Sequence, residues 1–166
     1  MMTNCIECSS ELLRRGSDVN KKDSDGKTVL LRNMFVATPE LIRCYLEAGA
    51  DANAQDAGCE TALMGAVHAG NFMKVKMLIS ARADVNAQDA CGTSVIMYTG
   101  FAPSIEIADV LLGAGANINA FLRKGMSVLD YVTWRLNPEQ NKRATGFIDY
   151  LRLKGAKTAS ELKATR

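Results

Sequence analysis

Residues 44–89 read CYLEAGADANAQDAGCETALMGAVHAGNFMKVKMLISARADVNAQD. Within them Gly49-Ala-Asp-Ala-Asn-Ala-Gln-Asp56 returns 33 residues later as Arg82-Ala-Asp-Val-Asn-Ala-Gln-Asp89. The frame extends upstream to Gly16-Ser-Asp-Val-Asn20 and downstream to Gly115-Ala-Asn-Ile-Asn-Ala120. Asn20, Asn53, Asn86 and Asn119 therefore form a ladder of constant spacing. A fixed period of this length is the mark of a solenoid, whose units bury their apolar faces only against their neighbours.

Each unit reads as helix–turn–helix followed by an extended loop. In residues 23–55, Asp23-Ser-Asp-Gly26-Lys-Thr28 is turn chemistry, and Thr28 is placed to cap a short helix containing Leu30 and Met34. Pro39 ends that helix and suits the first turn of a second one, whose apolar stripe is Leu41, Ile42, Tyr45 and Leu46. Residues 56–88 and 89–121 repeat the plan. Residues 122–157 repeat it with an insertion near 137–143, which is expected to be an exposed loop ahead of a helix from Thr145 to Leu153. Residues 1–22, with a helix over 1–15, form an N-terminal half-unit cap, and 158–166 form a tail. The expectation is one all-α solenoid domain of stacked units joined by hairpin-like loops. Two positions break the pattern: Cys59 and Arg82 stand where the other units carry glycine, so the second unit is expected to be strained or re-routed.

Composition narrows the function class. The apolar fraction of 48% is that of a globular chain, and no run approaches the ~18 apolar residues that span a membrane. The opening MMTNCIECSSELLRRG has no basic start leading into an apolar run, which predicts a cytoplasmic protein or one whose leader has been removed. Five cysteines at irregular spacing predict free thiols rather than a disulfide framework. Net charge is +2, yet residues 142–166 hold seven Lys/Arg against Asp149 and Glu161. That asymmetry reads as the polar outer face a terminal unit needs, or else as a patch for nucleic acid or an acidic partner.

Asp23-x-x-Gly-x-Thr28, the paired-helix core and Leu111-Leu-x-x-Gly-Ala-Asn-x-Asn-Ala120 together resemble the ankyrin-repeat family, over about residues 11–157. The family's Thr-Pro-Leu-His stands here as Thr28-Val-Leu-Leu31, Thr61-Ala-Leu-Met64, Ser94-Val-Ile-Met97 and Ser127-Val-Leu-Asp130, a loss expected to weaken the caps. The closing Gly155-Ala-Lys-Thr-Ala-Ser-Glu-Leu162 is similar to the ends of small bacterial members. The resemblance implies a non-catalytic, monomeric scaffold without cofactor that binds a partner protein along its concave side, as adaptor or inhibitor. Carried over by position, the loop contacts are Lys27, Glu60, Thr93 and Met126. A column of rings near the end of each first helix, Phe35, His68, Phe101 and Trp134, supplies the expected anchors, flanked by Tyr98 and Tyr131. Arg123 and Lys124, with Lys27 and Glu60, would set orientation. The competing reading makes these rings internal packing.

Other chemistry finds little support. Gly26-Lys27-Thr28 lacks the earlier glycine of a phosphate loop, because Lys21 stands there, and Gly113-Ala-Gly115 lacks the third glycine of a dinucleotide fingerprint. Cys5 and Cys8 have zinc-ligand spacing without a second pair. With His68 they leave a metal or redox sensor as an alternative function, and end-to-end self-assembly as another. A basic face with interleaved aromatics is approached only by Arg123, Lys124, Trp134 and Arg135, too few for a nucleic-acid binder. Among eukaryotic relatives the loop asparagine, here Asn53, Asn86 or Asn119, can be hydroxylated.

Overall fold

A side-chain oxygen ahead of a helix takes up one of the backbone N–H groups that the first turn leaves without a partner. Thr28, Thr61 and Ser127 each accept such a bond, from Leu31, Met64 and Asp130. Thr38, Asn71 and Ser104 do the same for the second helices, from Leu41, Lys74 and Ile107. The computed structural model describes residues 18–137 and 142–164. The expected helix over 1–15, Cys5, Cys8 and the middle of the expected insertion lie outside the described residues.

The helices run in pairs: α1 (Val29–Asn33) with α2 (Pro39–Glu47), α3 (Ala62–His68) with α4 (Phe72–Ser80), a 3-10 helix (Val95–Gly100) with α5 (Ile105–Gly113), and α6 (Val128–Leu136) with α7 (Lys142–Leu153). A short α8 (Ala159–Ala164) follows. The described residues hold no strand. Isolated antiparallel bridges Gln55–Thr61, Gln88–Ser94 and Phe121–Ser127 close the hairpin-like loops. In the first three loops one aspartate, Asp23, Asp56 or Asp89, accepts two backbone N–H groups of its own turn through Oδ1.

Equivalent leucines and an isoleucine on the first helices, Leu30, Leu63, Ile96 and Leu129, are all fully buried, as are Ile42, Leu78, Leu111 and Leu151 on the second helices. Each contributes about 1.5–3 kcal/mol relative to exposure. The asparagine ladder adds a polar clasp between neighbours. Asn53 Nδ2 donates to the Arg82 carbonyl at 3.0 Å, and its Oδ1 accepts from Asp84 N at 2.7 Å. Asn20, Asn86 and Asn119 bridge forward in the same way to Gly49 and Asp51, Gly115 and Asn117, and Gly155 and Lys157. A further tie joins the first two pairs: the buried Lys74 ammonium donates to the Met34 carbonyl at 2.5 Å, placing a cation at the C-terminal end of α1.

Three sequence expectations are refined. Cys59 and Arg82 keep the left-handed backbone of the glycines they replace, with φ of 58° and 62°, so the second loop is strained but not re-routed. The second helix of the fourth pair begins at Lys142 rather than Thr145, drawing the end of the expected insertion into α7, while Asn137 closes α6 at φ 44°. The first helix of the third pair is 3-10, not α. Its β-branched Val95, Ile96 and Thr99 and its Gly100 are poor α-formers. Thr99 Oγ1 donates to the Ile96 carbonyl at 2.6 Å, and Ser94 makes no capping bond. The buried Ser94 hydroxyl has no partner.

Candidate interaction surface

Each short first helix carries a ring of the column near its C-terminal end or just beyond it, and the third and fourth add Tyr98 and Tyr131. Phe35 meets His68 edge-on with centroids 5.6 Å apart, and His68 stacks on Phe101 at 4.2 Å and 24°. Tyr98 leans against both, 6.1 Å from His68 and 5.8 Å from Phe101. These rings bridge three successive helix pairs. The outermost, Phe35, remains 60% exposed, so it is not internal packing.

Trp134 does not extend the stack. The Arg135 guanidinium lies over the Phe101 ring at 4.2 Å, and Trp134 instead pairs with Tyr131 at 5.9 Å while staying 67% exposed. The expected four-ring column is therefore a ladder of three, terminated by a cation, with a separate Tyr131–Trp134 pair beside it. Gly100 makes this possible. A Cβ at that position would stand 3.2 Å from Arg135 Cγ, so a side chain there would press the arginine stem outward by a few tenths of an ångström. The sequence signal for Arg135 was this glycine inside a helical segment.

Electrostatics fix the supporting tyrosines. Burial, with the Asp89 carboxylate accepting from its hydroxyl at 2.9 Å, holds the Tyr98 phenol far above its ordinary pKa. Burial also raises Tyr131, and the nearby Arg135 charge opposes that rise. Both tyrosines are thus neutral near neutral pH, and Tyr98 is held as a hydrogen-bond donor.

The loop residues separate into engaged and open groups. Lys27 reaches the next loop and pairs with Asp56 at 3.2 Å. Thr93 is only 6% exposed, which leaves it little area for a partner. Glu60, Arg123 and Lys124 are exposed, and Met126 is half-buried. Thr93, Lys124 and Met126 come together with Cys91, Leu122, Tyr131 and Trp134 around a groove of about 450 Å³ between the third and fourth loops. Leu122 occupies the position that Asp23, Asp56 and Asp89 hold in the other loops. An apolar side chain there lines the groove where a carboxylate would have turned inward to its own backbone. Cys91 and Leu122 were missed because the loop register pointed only to the residue after each turn glycine.

Lys27, Glu60, Phe35 and His68 lie on the first two pairs and do not line this groove. His68 is held among rings, and among the described residues no three His, Cys, Asp or Glu groups converge as a metal site.

The family model described as ankyrin repeats, three copies, matches residues 1–89 and 33–122. No curated protein matches the chain. No helix among the described residues is long and apolar enough to cross a membrane. Ankyrin repeats generally mediate protein–protein interaction and are typically non-enzymatic. The match stops at 122, but the fourth pair beyond it repeats the bridge, the capping hydroxyl and the buried leucine of the earlier ones. Sequence match and repeated helix pair agree: the chain belongs to the ankyrin-repeat family.

Proposed function

We propose that this protein is a non-catalytic docking scaffold, a cytoplasmic monomer that binds a partner protein through the face built by its first helices and loops. In this reading 23–55, 56–88 and 89–121 are complete units of a single domain, capped by 1–22 and by 122–157 with the tail 158–166. Phe35, His68, Phe101 and Trp134 are the anchors, and Lys27, Glu60, Thr93, Met126, Arg123 and Lys124 surround them. The observation that carries the reading is the Phe35–His68–Phe101 ladder. A stack of rings crosses three helix pairs, open at the exposed Phe35 end and closed by a guanidinium at the other, and with the exposed Trp134 it offers aromatic contact area on a preformed surface. Aromatic area of this kind binds with little loss of side-chain entropy, and a preformed surface avoids the cost of reorganisation.

The test is affinity capture followed by reconstitution with the captured protein. Wild type is compared with a Phe35→Ala, His68→Ala, Phe101→Ala, Trp134→Ala variant whose fold is checked by circular dichroism. A partner that binds wild type directly and is lost from the folded variant supports the proposal. Equal binding by both places the contact elsewhere and refutes the anchor assignment. Unfolding of the variant would make the rings structural and refute it as well.

A further inference from the structure

Resting on the docking reading above, we infer that the groove between the third and fourth loops takes an acidic segment of the partner, with one apolar side chain inserted as its anchor. The walls are apolar where they matter: Leu122, Met126, Tyr131 and the lip residue Trp134. Its volume, about 450 Å³, lies in the range of ~300–1,000 Å³ that holds a small ligand or a few side chains. Lys124 lines the groove, with Arg123 beside it in the chain. Arg123 and Lys124 are exposed and make no ion pair with any described residue, and Arg135 offers its charge to a ring rather than to an acid.

The nearby acids are held in hydrogen bonds and form no ion pair with these cations. Asp89 accepts from Cys91 N, Thr93 N and the Tyr98 hydroxyl. Asp130 accepts from Ser127 and from Ala159 N. The cations of the first pair differ: Lys27 is held by Asp56, and Arg32 by Asp23 and Asp25. Uncommitted positive charge therefore collects at one end of the face, around the apolar slot, while Glu60 is exposed on the second loop. An acidic stretch is attracted to the fourth-loop end and repelled from the second, which sets the direction in which the segment lies. A nucleic acid would need a longer basic track with stacking rings than Arg123, Lys124 and Arg135 provide. A membrane would need a protruding apolar surface rather than a recessed one.

Trp134, the only tryptophan in the chain, reports on the groove without a label. Acetylated peptides of about ten residues, acidic around a single Leu, Met or Phe, are titrated against the whole protein while Trp134 emission is followed. The expected result is a saturable blue shift, weakened about tenfold when the apolar residue becomes Ser and lost when the acids become Lys. Arg123→Glu with Lys124→Glu, confirmed folded by circular dichroism, abolishes the shift, whereas Lys76→Glu on the second helix α4 leaves it intact. The inference is overturned by no saturable shift up to about 1 mM peptide, by equal binding of the lysine analogue, or by tighter binding of a single-stranded oligonucleotide or of phosphatidylserine vesicles. Loss of peptide binding alongside retained, ring-dependent binding of a captured partner removes the groove assignment alone. Loss of ring dependence removes the underlying docking reading.

Discussion

Replacing Asn86 by alanine severs one rung of the ladder that ties neighbouring helix pairs. Two bonds are lost, Nδ2 to the Gly115 carbonyl at 3.0 Å and Asn117 N to Oδ1 at 2.8 Å. The turn bond from Asn86 N to Asp84 Oδ1 remains, because it uses only backbone of residue 86. A protein hydrogen bond contributes a net ~0.5–1.5 kcal/mol, and the exposed partners can turn to water, so the expected loss is about 2 kcal/mol. With a urea m-value of about 2 kcal/mol/M, the midpoint falls by about 1 M. Asn119→Ala should cost less, about 1 kcal/mol, since its bonds of 3.3 and 3.0 Å hold only the terminal turn. Urea unfolding followed by circular dichroism at equilibrium measures both. An Asn86→Ala loss below about 0.5 kcal/mol would refute the reasoning and assign cohesion to apolar stacking alone. A reduced m-value would show that the array had split into parts, so the two-state comparison would not hold.

Further expectations concern the departures from the repeat. Cys59→Gly and Arg82→Gly each relieve a left-handed residue costing about 1–2 kcal/mol, offset by the greater freedom of unfolded glycine, so each should gain roughly 0.5–1 kcal/mol; a destabilised variant in thermal melts would contradict this. Ser94→Ala loses no hydrogen bond and should be near neutral, whereas Ser127→Ala breaks a capping box and should cost about 1 kcal/mol; equal costs would count against the cap assignment. At low pH, Asp23, held below its ordinary 3.8 by Arg32, and Asp109, held below it by Lys154 and Tyr150, contribute stability present above pH 3.8 and lost as pH falls through their folded values. Asp109→Asn should therefore shrink the acid drop in melting temperature, and an unchanged profile would remove that ion pair from the account. At high pH the sign reverses. Tyr98 is raised in the fold, so its contribution is complete below 10.0 and falls as the unfolded chain ionises above it, and Tyr98→Phe should flatten that alkaline loss.

Spacing gave the architecture because a solenoid repeats its physics. Thr28, Thr61 and Ser127 all cap, the leucine column is buried throughout, and the strain expected at Cys59 and Arg82 is present in their positive φ. The surface was only partly legible. Equivalent positions share a backbone location but not a neighbourhood, so four rings in register became three in contact once Arg135 lay over Gly100. The groove depended on Leu122 replacing an aspartate whose role in its own turn becomes visible only with the hydrogen bonds in place. The residues that the ladder asparagines reach belong to the next unit, a contact no local reading supplies.

The most direct test of the docking account is hydrogen exchange of this protein with and without its captured partner. The account predicts slowed exchange on complex formation in 27–36, 60–69, 91–101 and 121–135, with no change on the second helices α2, α4 and α5. Protection confined to those second helices, with the first helices and loops unaffected, would contradict it.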